Sequence, residues 1–197
     1  MKVLRLYCLL TLTIFSTASA QNADIRLLRE INLNRNTQFD GFFKGVTDTT
    51  VPGAFSVPVI IMGVGLIKKD APTQRKAVVI GAGLVASSGI TYVMKRAINR
   101  PRPFVTYPDI QKLTDGSSPS FPSGHTSLAF ATATSLSLEY PKWYVIVPSY
   151  AWAGTVGYSR MHLGVHYPSD VLAGAVIGAG SSFMTYRLNR WLQGQKK

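Results

Sequence analysis

A chain of 197 residues with a formal charge of +12 and a single cysteine is enough for one domain with a sizeable core. Cys8 is confined to the first twenty residues, so disulfide bonds, cysteine metal ligands and thiol chemistry are excluded from everything after it. So basic a balance suits an anionic membrane surface or a phosphorylated substrate, and suits nucleic acid least if the chain is exported.

The amino end points to export. "MKVLRLYCLLTLTIFSTASA" places Lys2 and Arg5 before an apolar run and closes on Ala18-Ser19-Ala20, the order of a secretory signal peptide over residues 1–20. Cleavage is expected before Gln21, and the alternative is an uncleaved first membrane helix. The residues after Cys8 are apolar, which does not fit a lipid-attachment site.

Residues 21–50 form an amphipathic helical segment in this reading. Ile25, Leu28 and Ile31, then Phe39, Phe42 and Phe43, recur at helical spacing among charged residues, as in helices that lie on a core or at a membrane interface. The texture changes beyond Thr50. Residues 51–67, 77–94, 143–159 and 171–186 contain no charge and are rich in Gly, Ala and Ser, and a shorter run covers 126–138. Small residues permit close helix approach, and the expectation is an all-α helical bundle over residues 51–190.

A 17-residue run spans roughly 26 Å, a little short of the roughly 30 Å hydrocarbon core. Loop charge helps to separate membrane from soluble bundles. With the signal entering amino end first, five runs alternate across the membrane, and "KKDAPTQRK" and "RLNRWLQGQKK" both fall on the cytoplasmic side, where positive charge is favoured. Trp143, Tyr144 and Trp191 stand near the ends of runs, as interfacial aromatics do. The chain is therefore expected to be an integral membrane protein with about five spans after a cleaved signal. The segments 95–123 and 159–170 then emerge on the outer face, and their cations, Lys95, Arg96, Arg100, Arg102, Lys112 and Arg160, run against the usual bias. An anionic ligand supplies a reason.

Three clusters occupy those outer segments: "KRAINRPRP" (95–103), "PSGH" (122–125) and "SRMHLGVHYPSD" (159–170). In the second, Ser123 is a candidate N-cap and Gly124 permits close backbone approach at a helix amino end, whose free N–H groups suit an anion; a plain capping turn is the other reading. In the third, Pro168 fits the first turn of a helix and brings Asp170 within reach of His166. A carboxylate on one imidazole nitrogen fixes the tautomer and frees the other nitrogen; a helix-end pair is the alternative. His162 and His166 have the spacing of two metal ligands on a helix, but Gly164, Pro168 and the neighbouring Arg160 argue against a metal. Lys95, Arg96, Arg102 and Arg160 together could grip phosphate oxygens.

These residues resemble the superfamily of type 2 phosphatidic acid phosphatases and vanadium haloperoxidases. Its signature, K-x6-RP, PSGH and SR-x5-H-x3-D, is matched by Lys95 with Arg102-Pro103, by Pro122 to His125, and by Ser159-Arg160 with His166 and Asp170, within a likeness spanning about residues 37–187. The resemblance implies that His166 attacks phosphorus to form a phosphohistidine, Asp170 orients it, and His125 protonates the leaving oxygen. Lys95, Arg102, Ser123, the Gly124 amide and Arg160 hold the phosphoryl oxygens, with no metal and no cofactor. His162 falls at a variable position and is expected to pack or to hydrogen-bond at the rim.

The resulting expectation is a phosphatase in a bacterial inner membrane, with its site facing the periplasm. Its partner is a lipid phosphate: a polyprenyl pyrophosphate, phosphatidylglycerophosphate, phosphatidic acid or lipid A phosphate. No nucleic acid partner is expected. A soluble periplasmic acid phosphatase of the same superfamily, a non-catalytic membrane binding or transport protein of the same fold, and a vanadate-dependent peroxidase are the rivals.

Overall fold

The structure, a computed structural model, describes residues 22–194; the expected signal peptide lies outside them. Among the described residues the regular structure is all helical, without a strand. A helix over 22–33 (α1) and a 3-10 turn at Thr37–Phe39 lead to α2 (Asp40–Asp48), α3 (Thr50–Ile67), α4 (Ala71–Ile98), the short α5 (Pro103–Thr106), α6 (Gly124–Glu139), α7 (Trp143–His162) and α8 (Pro168–Gly194).

The uncharged runs understate the helices. At 1.5 Å per residue, the 28 residues of α4 and the 27 of α8 reach roughly 40 Å. α4 extends past its apolar stretch to include Arg75 and Lys76 at one end and Lys95 and Arg96 at the other. The polar backbone at both ends can therefore sit in the interfaces while the middle crosses hydrocarbon. Proline within the first two residues starts α4. Asn99 ends it in the left-handed conformation at φ 47°, which Asn tolerates.

The bundle is organised around α6, which packs against α3, α4, α7 and α8. Apart from Leu128, this helix buries small and hydroxylated residues, Thr126, Ser127, Ala129 and Ala131 to Ser135. Ser87 and Thr91 of α4 bond to the Ser127 hydroxyl at 2.6 and 3.0 Å, and Ser182 of α8 donates to the Ala131 carbonyl at 2.9 Å. Gly178 brings α8 so near that a Cβ there would overlap the Ser127 carbonyl and the Ala131 amide. Close approach and interhelical hydrogen bonds are how helices associate where lipid offers no hydrophobic contrast.

Large apolar side chains point outward instead. Val59, Ile60, Val85, Leu172 and Val176 are exposed on the bundle's flank, and Ile67 is 85% exposed. A soluble protein does not present such a contiguous apolar belt. Two stretches, Thr37–Ile67 and Ala71–Thr106, are long and apolar enough to cross a membrane by length and composition.

The amphipathic segment divides in two. In α1, Ile25 and Leu28 are buried against Ile110 and Tyr167, so this helix caps the loop end of the bundle. At α2, Phe42 and the preceding Phe39 are exposed, while the start of the helix is tied down: Asp40 accepts from Arg35 at 3.0 Å and pairs with His162 Nε2 at 2.8 Å. Exposed phenylalanine on a short amphipathic helix suits an interfacial position.

Candidate active site

One end of the bundle gathers all three clusters. The last turn of α4 supplies Lys95, the connection to α5 supplies Arg100 and Arg102, the first turn of α6 carries His125, the last turn of α7 carries Arg160, and the 163–167 turn delivers His166 to the start of α8. That turn depends on Gly164, at φ 71°, where a Cβ would also strike the Gln111 carbonyl. A cavity of about 270 Å³ opens here, lined by Lys95, Arg102, Gly124, His125, Arg160 and His166, and by the Asp115–Ser118 loop.

His166 is buried, and its two nitrogens have different neighbours. Nδ1 lies 3.3 Å from Asp170 Oδ2, while Nε2 lies 3.5 Å from Arg102 Nη1 beside the cavity. Donation from Nδ1–H to the carboxylate selects the tautomer with its lone pair on Nε2. Burial, helped by the positive charge of Arg102 and Arg160, pushes the imidazole down to about 3 against the pull of Asp170. The ring is thus neutral, with an available lone pair.

Asp170 is wholly buried and accepts from four groups. Arg100 Nη1 donates to Oδ1 at 2.7 Å; the Ser120 hydroxyl, the Tyr167 amide at 3.0 Å and His166 Nδ1 share Oδ2. The Tyr167 bond is half of a capping box, with the third helical residue returning to the N-cap amide. The same carboxylate therefore starts α8 and orients the imidazole.

The cations are held by neutral acceptors. Arg102 donates from Nε to the Ser118 carbonyl at 2.8 Å and from Nη1 to the Val165 carbonyl at 2.9 Å. Lys95 Nζ donates to the Pro119 carbonyl. Arg160 donates from Nη1 to the Thr47 hydroxyl at 2.7 Å, and its Nε is buried without a hydrogen-bond partner. A buried donor of that kind is costly unless an acceptor arrives with a ligand. No carboxylate of the described residues pairs with Lys95, Arg102 or Arg160, so the cavity keeps a positive field suited to phosphate.

Several expectations change in detail. Ser123 occupies the N-cap position of α6 with extended backbone, but its hydroxyl makes no capping bond; it is fully buried and pairs with Thr126 Oγ1 at 2.8 Å, off the cavity wall. Arg96 does not join the cations: it is exposed and lies over the Tyr92 ring at 5.1 Å. His162 and His166 do not form a pair, since His162 is committed to Asp40 and packs its ring 4.4 Å from that of Phe43. Arg100 is the residue that sequence reasoning passed over. It bridges Asp170 and Asp24 and lies 3.8 Å over the Tyr167 ring. Asp24 in turn accepts from the Ser169 amide and hydroxyl, a carboxylate on the amino end of α8. The signal available was only a second Arg-Pro pair, Arg100-Pro101, directly before Arg102-Pro103.

A helical membrane bundle with a carboxylate-held histidine and a ring of cations at one end is the class of protein that these observations define. The sequence model of the PAP2 superfamily matches residues 76–193, and the chain belongs to that superfamily. It is 29% identical over 192 residues to an undecaprenyl-diphosphatase of Sulfolobus acidocaldarius, covering 94% of this chain and 89% of that protein. Among solved structures it resembles Aquifex aeolicus LpxE, with a TM-score of 0.74, 27% identity and coverage of 84% of this chain and 95% of that one. It also resembles a transmembrane PAP2-type phosphatidylglycerolphosphate phosphatase of Bacillus subtilis, with a TM-score of 0.71, 28% identity and coverage of 92% and 93%. With its apolar flank and these neighbours, the chain is a membrane protein, which removes the soluble alternative.

Proposed function

We propose that this protein hydrolyses the phosphate monoester or pyrophosphate of a membrane lipid. The observation that carries the reading is His166: a buried neutral imidazole, turned by Asp170 so that Nε2 faces a cavity lined by Lys95, Arg102 and Arg160. The lipid phosphatases among its relatives support it.

The chemistry follows from the groups present. Nε2 attacks phosphorus in line with the leaving oxygen, giving a phosphohistidine, and the imidazolium that develops is stabilised by Asp170. His125, which lines the same cavity, gives its proton to the leaving oxygen and then takes one from the water that cleaves the P–N bond. Arg160, with its unmatched Nε, takes an equatorial oxygen together with Arg102, Lys95 and the Gly124 amide at the amino end of α6. Ser123 joins them by turning its hydroxyl away from Thr126. Phosphoryl transfer is chiefly a matter of alignment and charge stabilisation, which these cations supply without a metal.

The same reading places five spans, α3, α4, α6, α7 and α8, behind a cleaved signal over residues 1–20, in a bacterial inner membrane with the cavity facing the periplasm. A headgroup then enters the cavity from the surface while its tails remain in lipid, alongside α2 with its exposed Phe42 and the exposed Phe39 just before it. The test is phosphate release by purified protein from lipid and soluble phosphates, with and without chelator. Lipid substrates are expected to be cleaved in chelator, and His166→Ala is expected to lose roughly 10³-fold or more in rate. Near-normal turnover by that variant would overturn the mechanism, and halide oxidation on adding vanadate would favour the peroxidase.

A further inference from the structure

The end of the bundle opposite the catalytic cavity carries a second, larger cavity of about 480 Å³. It lies where the first turns of α4 meet the ends of α6 and α8, and Arg75, Lys76, Tyr186 and Arg190 stand around Glu139. Lys76 is fixed in place: its Nζ donates to the Glu139 carbonyl at 3.2 Å and sits 4.4 Å over the Tyr140 ring. Arg190 Nη1 donates to the Tyr186 hydroxyl at 3.3 Å. No carboxylate of the described residues pairs with Arg75 or Lys76. Three cations against one carboxylate leave the cavity net positive.

Two observations fix its level in the membrane. Trp143, Tyr144 and Trp191 are exposed at this same end, a ring of amphipathic aromatics of the kind that sits at headgroup depth. The residues around it, 68–76 on one side and 139–142 with 187–190 on the other, include seven cations and two carboxylates. A basic pocket between helices at headgroup depth is where anionic lipid headgroups are held.

We propose that this cavity between α4, α6 and α8 is a second anion site, which holds the phosphate headgroup of an anionic phospholipid and is separate from the catalytic cavity. Its ligand is a phosphodiester that is not consumed, with Arg75 and Arg190 as the gripping groups and Lys76 as the fixed charge at its base.

Native mass spectrometry of the full chain, titrated with dioleoylphosphatidylglycerol or dioleoylphosphatidylcholine, tests this directly. Wild type is expected to retain the glycerol lipid preferentially, and the R75Q/R190Q double variant to bind it roughly 30-fold more weakly, about fivefold for each cation removed. K95Q, altered only at the catalytic end, is expected to keep the preference. Phosphate release by the double variant serves as the check on its fold. Equal retention of both lipids by wild type, or an unchanged preference in R75Q/R190Q, would overturn the proposal. A companion calorimetric titration with inorganic phosphate distinguishes the source. Heat that depends on Arg75 and Arg190, without any preference between lipids, would make the occupant a soluble phosphate and overturn the lipid assignment.

Discussion

Replacing Arg100 by alanine removes the only arginine or lysine among the described residues that touches Asp170. The carboxylate has no exposed surface, and the arginine's side chain is 23% exposed. Breaking a fully buried pair from one side costs about 3–5 kcal/mol; water reaching the arginine end reduces this to about 2–3 kcal/mol. The kinetic effect follows from geometry. His166 Nδ1 is already 3.3 Å from Oδ2, and Ser120 and the Tyr167 amide compete for the same oxygen. Freed at Oδ1, the carboxylate rotates and the imidazole with it, and a displacement on the order of 1 Å at a nucleophile costs about 10²-fold in rate. Steady-state kinetics on a lipid phosphate should show kcat reduced roughly 10- to 100-fold, with KM changed by less than about threefold, because Arg100 does not line the cavity. Arg100→Lys should recover part of the loss, and Asp24→Asn should reproduce a smaller version. A lowered Tm with kcat within about twofold of wild type would show that Arg100 only supports the fold, and would refute the reasoning.

Other outcomes follow from the same contacts. Because burial holds His166 neutral down to about 3, its NMR titration should show no midpoint near the ordinary 6.5, and a midpoint there would contradict the assigned environment. The unfolded chain binds that proton and the folded site refuses it, so stability should be fully present above about pH 6.5 and decline as pH falls from there toward 3. Thr47→Val keeps the shape but removes the acceptor of Arg160 Nη1; KM should rise roughly tenfold, the value of one hydrogen bond to a charged group, with a smaller change in kcat. Gly178→Ala pushes a methyl into the backbone of α6, where no rotamer can relieve it, and should lower stability by about 1–3 kcal/mol in thermal unfolding.

The candidate catalytic cavity is largely legible in the sequence because its groups lie at fixed short spacings within three segments: a helix end, a helix start and one turn. Lys95, Arg102, His125, Arg160 and His166 meet as those spacings imply. What spacing could not convey is contact between distant segments. Arg100 and Arg96 look alike in "KRAINRPRP", yet one faces Asp24 and Asp170 while the other lies over Tyr92. The choice depends on where α4 ends, at Asn99. Similarly, Ser123 is a plausible cap by residue type, and Thr126 one turn on takes its hydroxyl. The helices are longer than the uncharged runs because charged residues at the run ends remain helical. The α4 helix continues through them, since backbone hydrogen bonding does not depend on side-chain charge.

Asp24 meets Ser169 across 145 positions of sequence. A chain made from its amino end presents Asp24 early and the start of α8 late, so the aspartate must wait for the last long helix before it has a partner. This end of the bundle can therefore close only once α8 is in place, with Asp24 on the Ser169 amide and hydroxyl. A practical consequence concerns fusion partners. A reporter joined immediately ahead of Asp24 would crowd the first turn of α8, and a flexible spacer there is the condition for an active fusion.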